Sequence, residues 1–289
     1  YIVRDWCQEP SNFRNQGDLD TFLRDQNVPG IYGIDTRALT KIVRESGVMN
    51  GIILSELPED KSKVLWDIKQ YRITEAVANT SRSEREVHLH TNETEHPKKI
   101  VLLDLGAKKT ICRQLQMRGC DVTIVPYNTS GEEIIAMKPD GIMLSNGPGD
   151  PAENVEVIKE IRKLLYCGIP MFGICLGHQL TALAAGGRTE KMKYGHRGTN
   201  QPAKRISDGR VFITSQNHGY CIVNESLPEI AKVSFVNVND GTCEGIDYEG
   251  APVFTVQFHP EASAGPLDSG SLFDDFMTLI EEVNVNAIK

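Results

Sequence analysis

Short apolar runs alternate with amphipathic segments through the middle of the chain. The apolar runs predict strands at 100–103, 122–125, 141–144 and 169–174, and the segments between them predict helices at 110–117, 132–137 and 155–165. Strands that are apolar at nearly every position and alternate with helices are typical of a parallel sheet covered on both faces. After Gly187 the pattern becomes strand-rich up to Gln257, and a helix with a single apolar face follows at about 270–283. The sequence therefore predicts an α/β fold with a mainly parallel central sheet and a strand-rich second half.

The first 80 residues predict a smaller α/β unit. A short strand is expected at 31–34, and a helix is expected to begin at Asp35 or Thr36, since either residue can cap a helix N-terminus. Its apolar positions follow helical spacing, Gly47 ends it, and a strand is expected to return at 50–54.

A polar stretch without periodicity separates the two regions. It predicts a linker or an exposed hairpin at 81–98, and so a domain division into 1–80, this linker, and 99–289. The stretch contains His88, His90 and His96. No cysteine or carboxylate lies near them at the spacing of metal ligands and in a predicted element that would hold it in place. We interpret these histidines as solvated loop residues and predict no metal site.

Composition narrows the function classes. The net charge of −8 disfavours nucleic acid or an anionic membrane as a main partner. No apolar run approaches the roughly 20 residues that a membrane helix needs. Seven cysteines without a CxxC pair are typical of reduced thiols, so a cytoplasmic protein is expected.

The most informative stretch surrounds Cys175. The predicted strand at 169–174 ends there, a helix begins directly after it, and Gly173 and Gly177 flank the cysteine. Glycines at these positions permit a strained strand-to-helix turn, which in hydrolases carries the nucleophile. Such a turn exposes the sulfur, and the helix N-terminus favours the reactive thiolate. The competing interpretation, a small buried cysteine that ends a core strand, accounts less well for both glycines.

A base for this nucleophile is expected at the end of another apolar run. The run 253–258 is followed by His259-Pro260-Glu261. Pro260 biases His259 towards an extended conformation, in which residues two apart point to the same side. Glu261 can therefore orient one ring nitrogen of His259 while the other faces a thiol. Taken alone, a surface histidine near a surface glutamate explains this pattern about equally well.

Two motifs resemble the class I, triad-type glutamine amidotransferases. They are Gly-Ile-Cys-Leu-Gly-His-Gln at 173–179 and Gln-Phe-His-Pro-Glu at 257–261. Within that class the chain is most similar to the small, glutamine-hydrolysing subunit family of carbamoyl phosphate synthetase. The narrower match rests on segments at 144–151, 198–202, 214–220 and Ala264–Pro266, and on 12–14 and 34–40 near the N-terminus. The resemblance implies a flavodoxin-like amidotransferase domain behind a family-specific N-terminal domain, part of which is expected to precede Tyr1.

The resemblance also implies the site. Cys175 would attack the side-chain amide of glutamine, with His259 as base and Glu261 as its orienting partner. The backbone amides of Leu176 and Gly149 are candidates to hold the oxyanion. The implied glutamine contacts are Gly147, Gly149, Leu176, Gln179, Asn217, Gly219 and Tyr220. Only Gln179 has independent support, because it lies one helical turn after Cys175.

The sequence contains no phosphate-binding loop of the GxxxxGK[ST] type and no GxGxxG after a strand. We therefore expect no cofactor on this chain, and expect ATP and metal on another polypeptide. The resemblance implies the large synthetase subunit as that partner, which would make carbamoyl phosphate for arginine or pyrimidine synthesis from bicarbonate, ATP and delivered ammonia.

Three alternatives stay open. One is an amidotransferase subunit for anthranilate or guanine-nucleotide synthesis, which would not need the N-terminal Asp35-Thr36-Arg37 region. Another is a non-catalytic regulatory subunit, which would not need Cys175. The third is a cysteine hydrolase of peptides or γ-glutamyl conjugates.

Overall fold

The computed structural model describes residues 1–262 and 267–287. The chain forms two compact units, Tyr1–Arg72 and Ile73–Lys289. The family-like segment Ala264–Pro266 lies outside the described residues. In the described part of the chain, no helix is both long and apolar enough to cross a bilayer.

The first unit is built from three short helices, α1 (Leu19–Asp25), α2 (Thr36–Ser46) and α3 (Lys61–Gln70). Each begins at an aspartate whose side chain accepts a hydrogen bond from a backbone amide of the first turn. The expected helix after Asp35 is therefore present. The strands expected at 31–34 and 50–54 are wrong: Ile31 forms only a single bridge with Ile2, and 50–54 pairs with nothing among the described residues. An apolar run becomes a strand only where a neighbouring strand completes its hydrogen bonds.

The second unit begins with α4 (Ala76–Thr80), and its strands form one sheet. Within the described residues this sheet has ten strands in the order β1-β3-β2-β4-β5-β10-β9-β8-β6-β7. The strands are β1 (Glu86–His88), β2 (Lys98–Asp104), β3 (Cys120–Pro126), β4 (Gly141–Leu144), β5 (Met171–Ile174), β6 (Thr189–Arg205), β7 (Val211–Ile222), β8 (Ala231–Asn237), β9 (Cys243–Tyr248) and β10 (Val253–Val256). Strands β3, β2, β4, β5 and β10 are parallel, and β9, β8, β6 and β7 continue the sheet antiparallel. The predicted parallel sheet and strand-rich second half are confirmed.

Helices cover both faces of this sheet, as a parallel sheet requires. The helices are α5 (Lys109–Gln116), α6 (Gly131–Ala136), α7 (Val155–Leu165), α8 (Leu176–Ala185) and α9 (Leu272–Ala287). Side chains of α6, α7 and α8 pack on one face, and those of α5 and α9 pack on the other. The neighbouring residues Leu144 and Met143 of β4 lie in different cores, so this central strand is buried on both sides.

The polar stretch at 81–98 is more structured than a linker. Glu86–His88 pairs antiparallel with β3 and forms an edge of the sheet. The start of the stretch is held by Arg82, whose backbone and side chain both donate to the buried Asp104 carboxylate. Short polar strands at sheet edges are common because their outer side faces water.

Candidate active site

Four loops that carry polar side chains follow neighbouring parallel strands. They come after β2, β4, β5 and β10, which lie side by side in the sheet. The carboxyl ends of parallel strands open at the same edge, where α/β proteins bind ligands. The sheet therefore brings four groups together at this edge: Lys108, the 145–150 loop, Cys175 and the 257–261 segment.

Cys175 lies in a strained turn between β5 and α8. Its φ of 53° and ψ of −100° lie in a region that residues other than glycine rarely adopt. Both flanking glycines are required by close packing, since a Cβ at Gly177 would lie 2.6 Å from the Leu144 carbonyl oxygen and one at Gly173 would lie 2.9 Å from the Thr255 methyl carbon. The turn expected from the sequence is present. The expected exposure of the sulfur is wrong, because Cys175 is only 5% exposed.

His259 and Glu261 form a buried pair beside this thiol. His259 Nδ1 lies 2.8 Å from Glu261 Oε1, and the Cys175 thiol is a hydrogen-bond partner of the same ring. The His259 amide donates to the Ser215 carbonyl, which ties the segment to β7. The three residues expected to act together are therefore in contact.

Electrostatics favour the charged form of this pair. Burial disfavours an imidazolium, but the charge and hydrogen bond of Cys175, followed by those of Glu261, outweigh burial and raise the pKa of His259 to about 9. Burial likewise disfavours a carboxylate, but the hydrogen bond and charge of His259 and the charge of Lys108 prevail and lower the pKa of Glu261. At neutral pH the site therefore holds a protonated His259 against an ionised Glu261.

Lys108 also belongs to the site, although it lies in none of the sequence motifs that predicted the site. Its Nζ lies 3.3 Å from His259 Nδ1 and 3.4 Å from Glu261 Oε1. The loop that presents it is held by Asp104, which accepts from the amides of Gly106 and Ala107. The available signal was its position just after β2, at the carboxyl edge of the sheet.

The loop after β4 packs against the start of α8. A Cβ at Gly147 would lie 2.2 Å from the Leu105 carbonyl oxygen and 2.6 Å from Leu176 Cδ2, so only glycine fits there. Gly149 has a φ of +94°, a conformation that favours glycine. Within the described residues, the amides of Gly149 and Leu176 have no hydrogen-bond acceptor. Among the described residues, two backbone donors are thus free, one in this loop and one at the start of α8.

We expect Gly147→Ala to destabilise the second unit by roughly 2 kcal/mol, because the added methyl group overpacks a backbone contact that cannot relax cheaply. Urea denaturation followed by circular dichroism measures the change. Gly270→Ala is the matched control, since a Cβ at Gly270 would meet nothing within 4 Å. Equal stability of the two variants would contradict the packing argument.

Gln179 and Tyr220 connect α8 with β7 and with the 145–150 loop. Gln179 Nε2 donates to the Tyr220 carbonyl and to Gln257 Oε1, at 2.9 Å in both cases. Burial, followed by the hydrogen bond from its hydroxyl to Asp150, raises the pKa of Tyr220 to about 12. Of the other expected glutamine contacts, Asn217 is exposed and Gly219 is half-buried on the same strand. The structure joins Gln179 to Tyr220, and contact of these residues with glutamine stays a prediction.

His178 is next to Gln179 in sequence but points the other way. Its ring is fully buried with Nδ1 2.7 Å from Thr255 Oγ1, and burial lowers its pKa to about 3. A ring held neutral on the sheet side of α8 has no access to the thiol, so His178 is not a candidate base.

One cluster has side chains of a metal-binding type. His196, His218 and Glu244 are buried, and their nearest ligand atoms all lie within 4.8 Å of one another. Each of these side chains already has hydrogen-bond partners within the protein, among them Gln216 and Asn237. The cluster adjoins the Asn217–Tyr220 segment and is separate from Cys175.

Family models match both parts of the chain. The glutamine amidotransferase class-I model matches residues 101–279, and the model of the carbamoyl-phosphate synthase small chain, CPSase domain, matches residues 1–53. The fold is also similar to a solved structure from Thermoplasma acidophilum that is described as one subunit of a GMP synthase, with a TM-score of 0.60 and 23% identity over 68% of this chain and 100% of that one.

Curated relatives agree over nearly the whole chain. The carbamoyl phosphate synthase small chain of Bacillus anthracis is 46% identical over 97% of this chain and 75% of its own length. Those of Bacillus caldolyticus and Lactococcus lactis subsp. lactis are also 46% identical, over 98% and 97% of this chain and 77% of theirs. Because the similarity includes both the amidotransferase region and the N-terminal region, the chain belongs to the carbamoyl phosphate synthase small-chain family, within the class I glutamine amidotransferases.

Proposed function

We propose that this chain hydrolyses glutamine to glutamate and ammonia and supplies the ammonia to a large synthetase subunit that makes carbamoyl phosphate. The observation that carries the proposal is the strained Cys175 turn in contact with the buried His259–Glu261 pair. A thiol, a base that can lose and regain its proton, and a carboxylate that orients the base are the three parts of a cysteine hydrolase.

The reaction follows from these positions. The Cys175 thiol gives its proton to His259, the sulfur attacks the amide carbon of the glutamine side chain, and the carbonyl oxygen becomes an oxyanion held by the amides of Leu176 and Gly149. His259 donates a proton to the departing nitrogen, so ammonia leaves and a thioester forms. His259 then takes a proton from water, the resulting hydroxide attacks the thioester, and His259 returns the proton to the Cys175 sulfur as glutamate leaves. Glu261 keeps Nδ1 of His259 protonated and its ring in place throughout.

Glutamine recognition is assigned to residues on three elements. We place Gly147 and Gly149 of the 145–150 loop, Leu176 and Gln179 of α8, and Asn217, Gly219 and Tyr220 of β7 around the substrate. The bonds from Gln179 to Tyr220 and from Tyr220 to Asp150 support this assignment, because they join the three elements without the substrate.

Partner, cofactor and location follow from the same chemistry. Glutamine hydrolysis by a thiol needs no cofactor, so ATP and metal are assigned to the large subunit. The net charge of −8 supports a protein partner over nucleic acid. The seven cysteines are all unpaired, which supports a cytoplasmic location.

The alternatives are less well supported. An amidotransferase for anthranilate or guanine-nucleotide synthesis does not explain the match of residues 1–53 to the small-chain domain. A regulatory subunit does not explain why Cys175, His259 and Glu261 are in contact.

The test measures glutamine hydrolysis by this chain, alone and mixed with a carbamoyl phosphate synthetase large subunit, bicarbonate and ATP. We expect hydrolysis to rise on mixing and carbamoyl phosphate to form. Hydrolysis that does not respond to the large subunit would contradict the partner, and the absence of hydrolysis in both mixtures would contradict the activity.

A further inference from the structure

Glu244 is a fully buried carboxylate at the centre of a polar cluster. Its side chain lies 2.9 Å from Gln216 Nε2, 3.0 Å from Asn237 Nδ2 and 3.2 Å from His196 Nδ1. The other ring nitrogen of His196 lies 2.8 Å from Asp240 Oδ2. His196 is thus held between two carboxylates.

The positive charge of a protonated His196 offsets part of the negative charge of Glu244 and Asp240. Burial disfavours a charged ring, but the hydrogen bonds and charges of Glu244 and Asp240 outweigh it and raise the pKa of His196 to about 9. Buried ion pairs contribute little net stability compared with apolar side chains of similar volume, because removing two charges from water is costly. A role in positioning explains the pair better than a role in stability.

The cluster connects to the glutamine-binding edge through two side chains. The side-chain amide of Gln216 contacts Glu244 and lies 3.0 Å from His218 Nε2. His218 Nδ1 lies 2.8 Å from the Tyr220 carbonyl oxygen, which also accepts from Gln179. One carbonyl oxygen is therefore held from the cluster on one side and from α8 on the other.

The pairing of β6 with β7 is irregular on either side of His196. The pairing of β6 with β7 shifts register between Lys191 and His196 and again between Gly198 and Gln201. Gly195, with a φ of +69°, packs so closely that a Cβ would lie 2.2 Å from the His218 carbonyl oxygen. Irregular pairing of this kind occurs next to active sites, where it directs side chains away from the regular ladder. The side-chain contacts of the cluster therefore hold the strands at a place where the ladder changes register.

We propose that Glu244 and His196 are positioning residues for glutamine, which hold the Asn217–Tyr220 segment through Gln216 and His218. The inference rests on the proposed glutaminase function. It makes neither residue catalytic, because neither contacts Cys175, His259 or Glu261 among the described contacts. Its consequence is that loss of the cluster weakens substrate binding and leaves the chemical step largely intact.

The test is the steady-state kinetics of Glu244→Ala and Glu244→Gln in complex with the large subunit. We expect E244A to raise KM for glutamine at least tenfold and to lower kcat less than threefold. E244Q should raise KM less than E244A does, because its one amide oxygen still accepts from either Gln216 or Asn237, which donate to different oxygens of Glu244. The rate at which iodoacetamide alkylates Cys175 should be unchanged in both, since the nucleophile is untouched.

Asp274→Asn is the matched control, because it removes a carboxylate of α9 that is paired with Arg118 and takes no part in the cluster. A KM for E244A within twofold of the unaltered chain would overturn the inference, as would a KM increase of the same size in D274N.

If E244A does not fold, His196→Asn is the second variant, since it leaves Glu244 its two amide donors. It is expected to raise KM in the same way, and an unchanged KM would overturn the inference. Absence of glutamine hydrolysis in the unaltered complex would instead contradict the proposed function, and the inference with it.

Discussion

Replacing Cys175 with Ser is expected to abolish glutamine hydrolysis, with a fall in kcat/KM of at least about 10⁴-fold. A serine hydroxyl fits the same strained turn, but it is a much weaker nucleophile than a thiolate beside an imidazolium. The turn itself is retained, because it depends on Gly173 and Gly177 and on their contacts with Thr255 and Leu144. The measurement is glutamate release by the complex with the large subunit.

The same variant should keep ammonia-dependent synthesis of carbamoyl phosphate. Ammonia added from solution bypasses the thiol, and the ATP-dependent steps are assigned to the large subunit. Cys167→Ser is the matched control, because this half-buried, unpaired cysteine lies outside the site and its variant should hydrolyse glutamine normally. If C175S lost ammonia-dependent synthesis as well, Cys175 would have to be a structural residue.

Replacing His259 with Asn is expected to reduce glutamine hydrolysis by about 10³-fold or more while the protein stays folded. Asparagine can still bond to Glu261, so the buried carboxylate keeps a partner. It cannot carry a proton between thiol, leaving ammonia and water. Glutamate release and near-ultraviolet circular dichroism test the two halves of this expectation, and near-normal turnover in H259N would contradict the triad.

Glu261→Gln tests the same pair by its pH dependence. Glu261 helps to raise the pKa of His259 to about 9, so protonated His259 persists up to that pH and is lost above it. Activity that needs the proton should therefore decline as the pH rises through about 9. Without the carboxylate the pKa of His259 falls, and the decline should move to lower pH. If the activity of E261Q declined at the same pH as that of the unaltered chain, Glu261 would not set the charge of His259.

Much of the fold could be predicted because its signals are local. The strand and helix pattern between Lys99 and Gly187 follows from runs of buried side chains, and the structure confirms the parallel sheet. The two strands expected in the first unit failed for a reason that is not local. A strand at 50–54 has the right apolar residues, but it has no neighbour to pair with in the described chain.

The candidate site also has some features that neighbouring residues predict and others that depend on distant contacts. Glycines two residues before and after Cys175 predict its strained turn, since backbone strain has a signature in the adjacent residues. Lys108 and Glu244 have no such signature, and their roles depend on distant partners: Lys108 lies 151 residues from His259 and Glu244 lies 28 from Gln216.

The succession of strands and helices, the turn at Cys175 and the adjacency of His259 and Glu261 can be predicted from the sequence, because each depends on residues that are neighbours in the chain. That these groups meet, that Cys175 is buried and that Lys108 joins them follows only from the folded chain, since burial and electrostatic environment depend on which strands lie side by side. The charge state of His259 is of this second kind, because a cysteine 84 residues away raises its pKa more than Glu261 does.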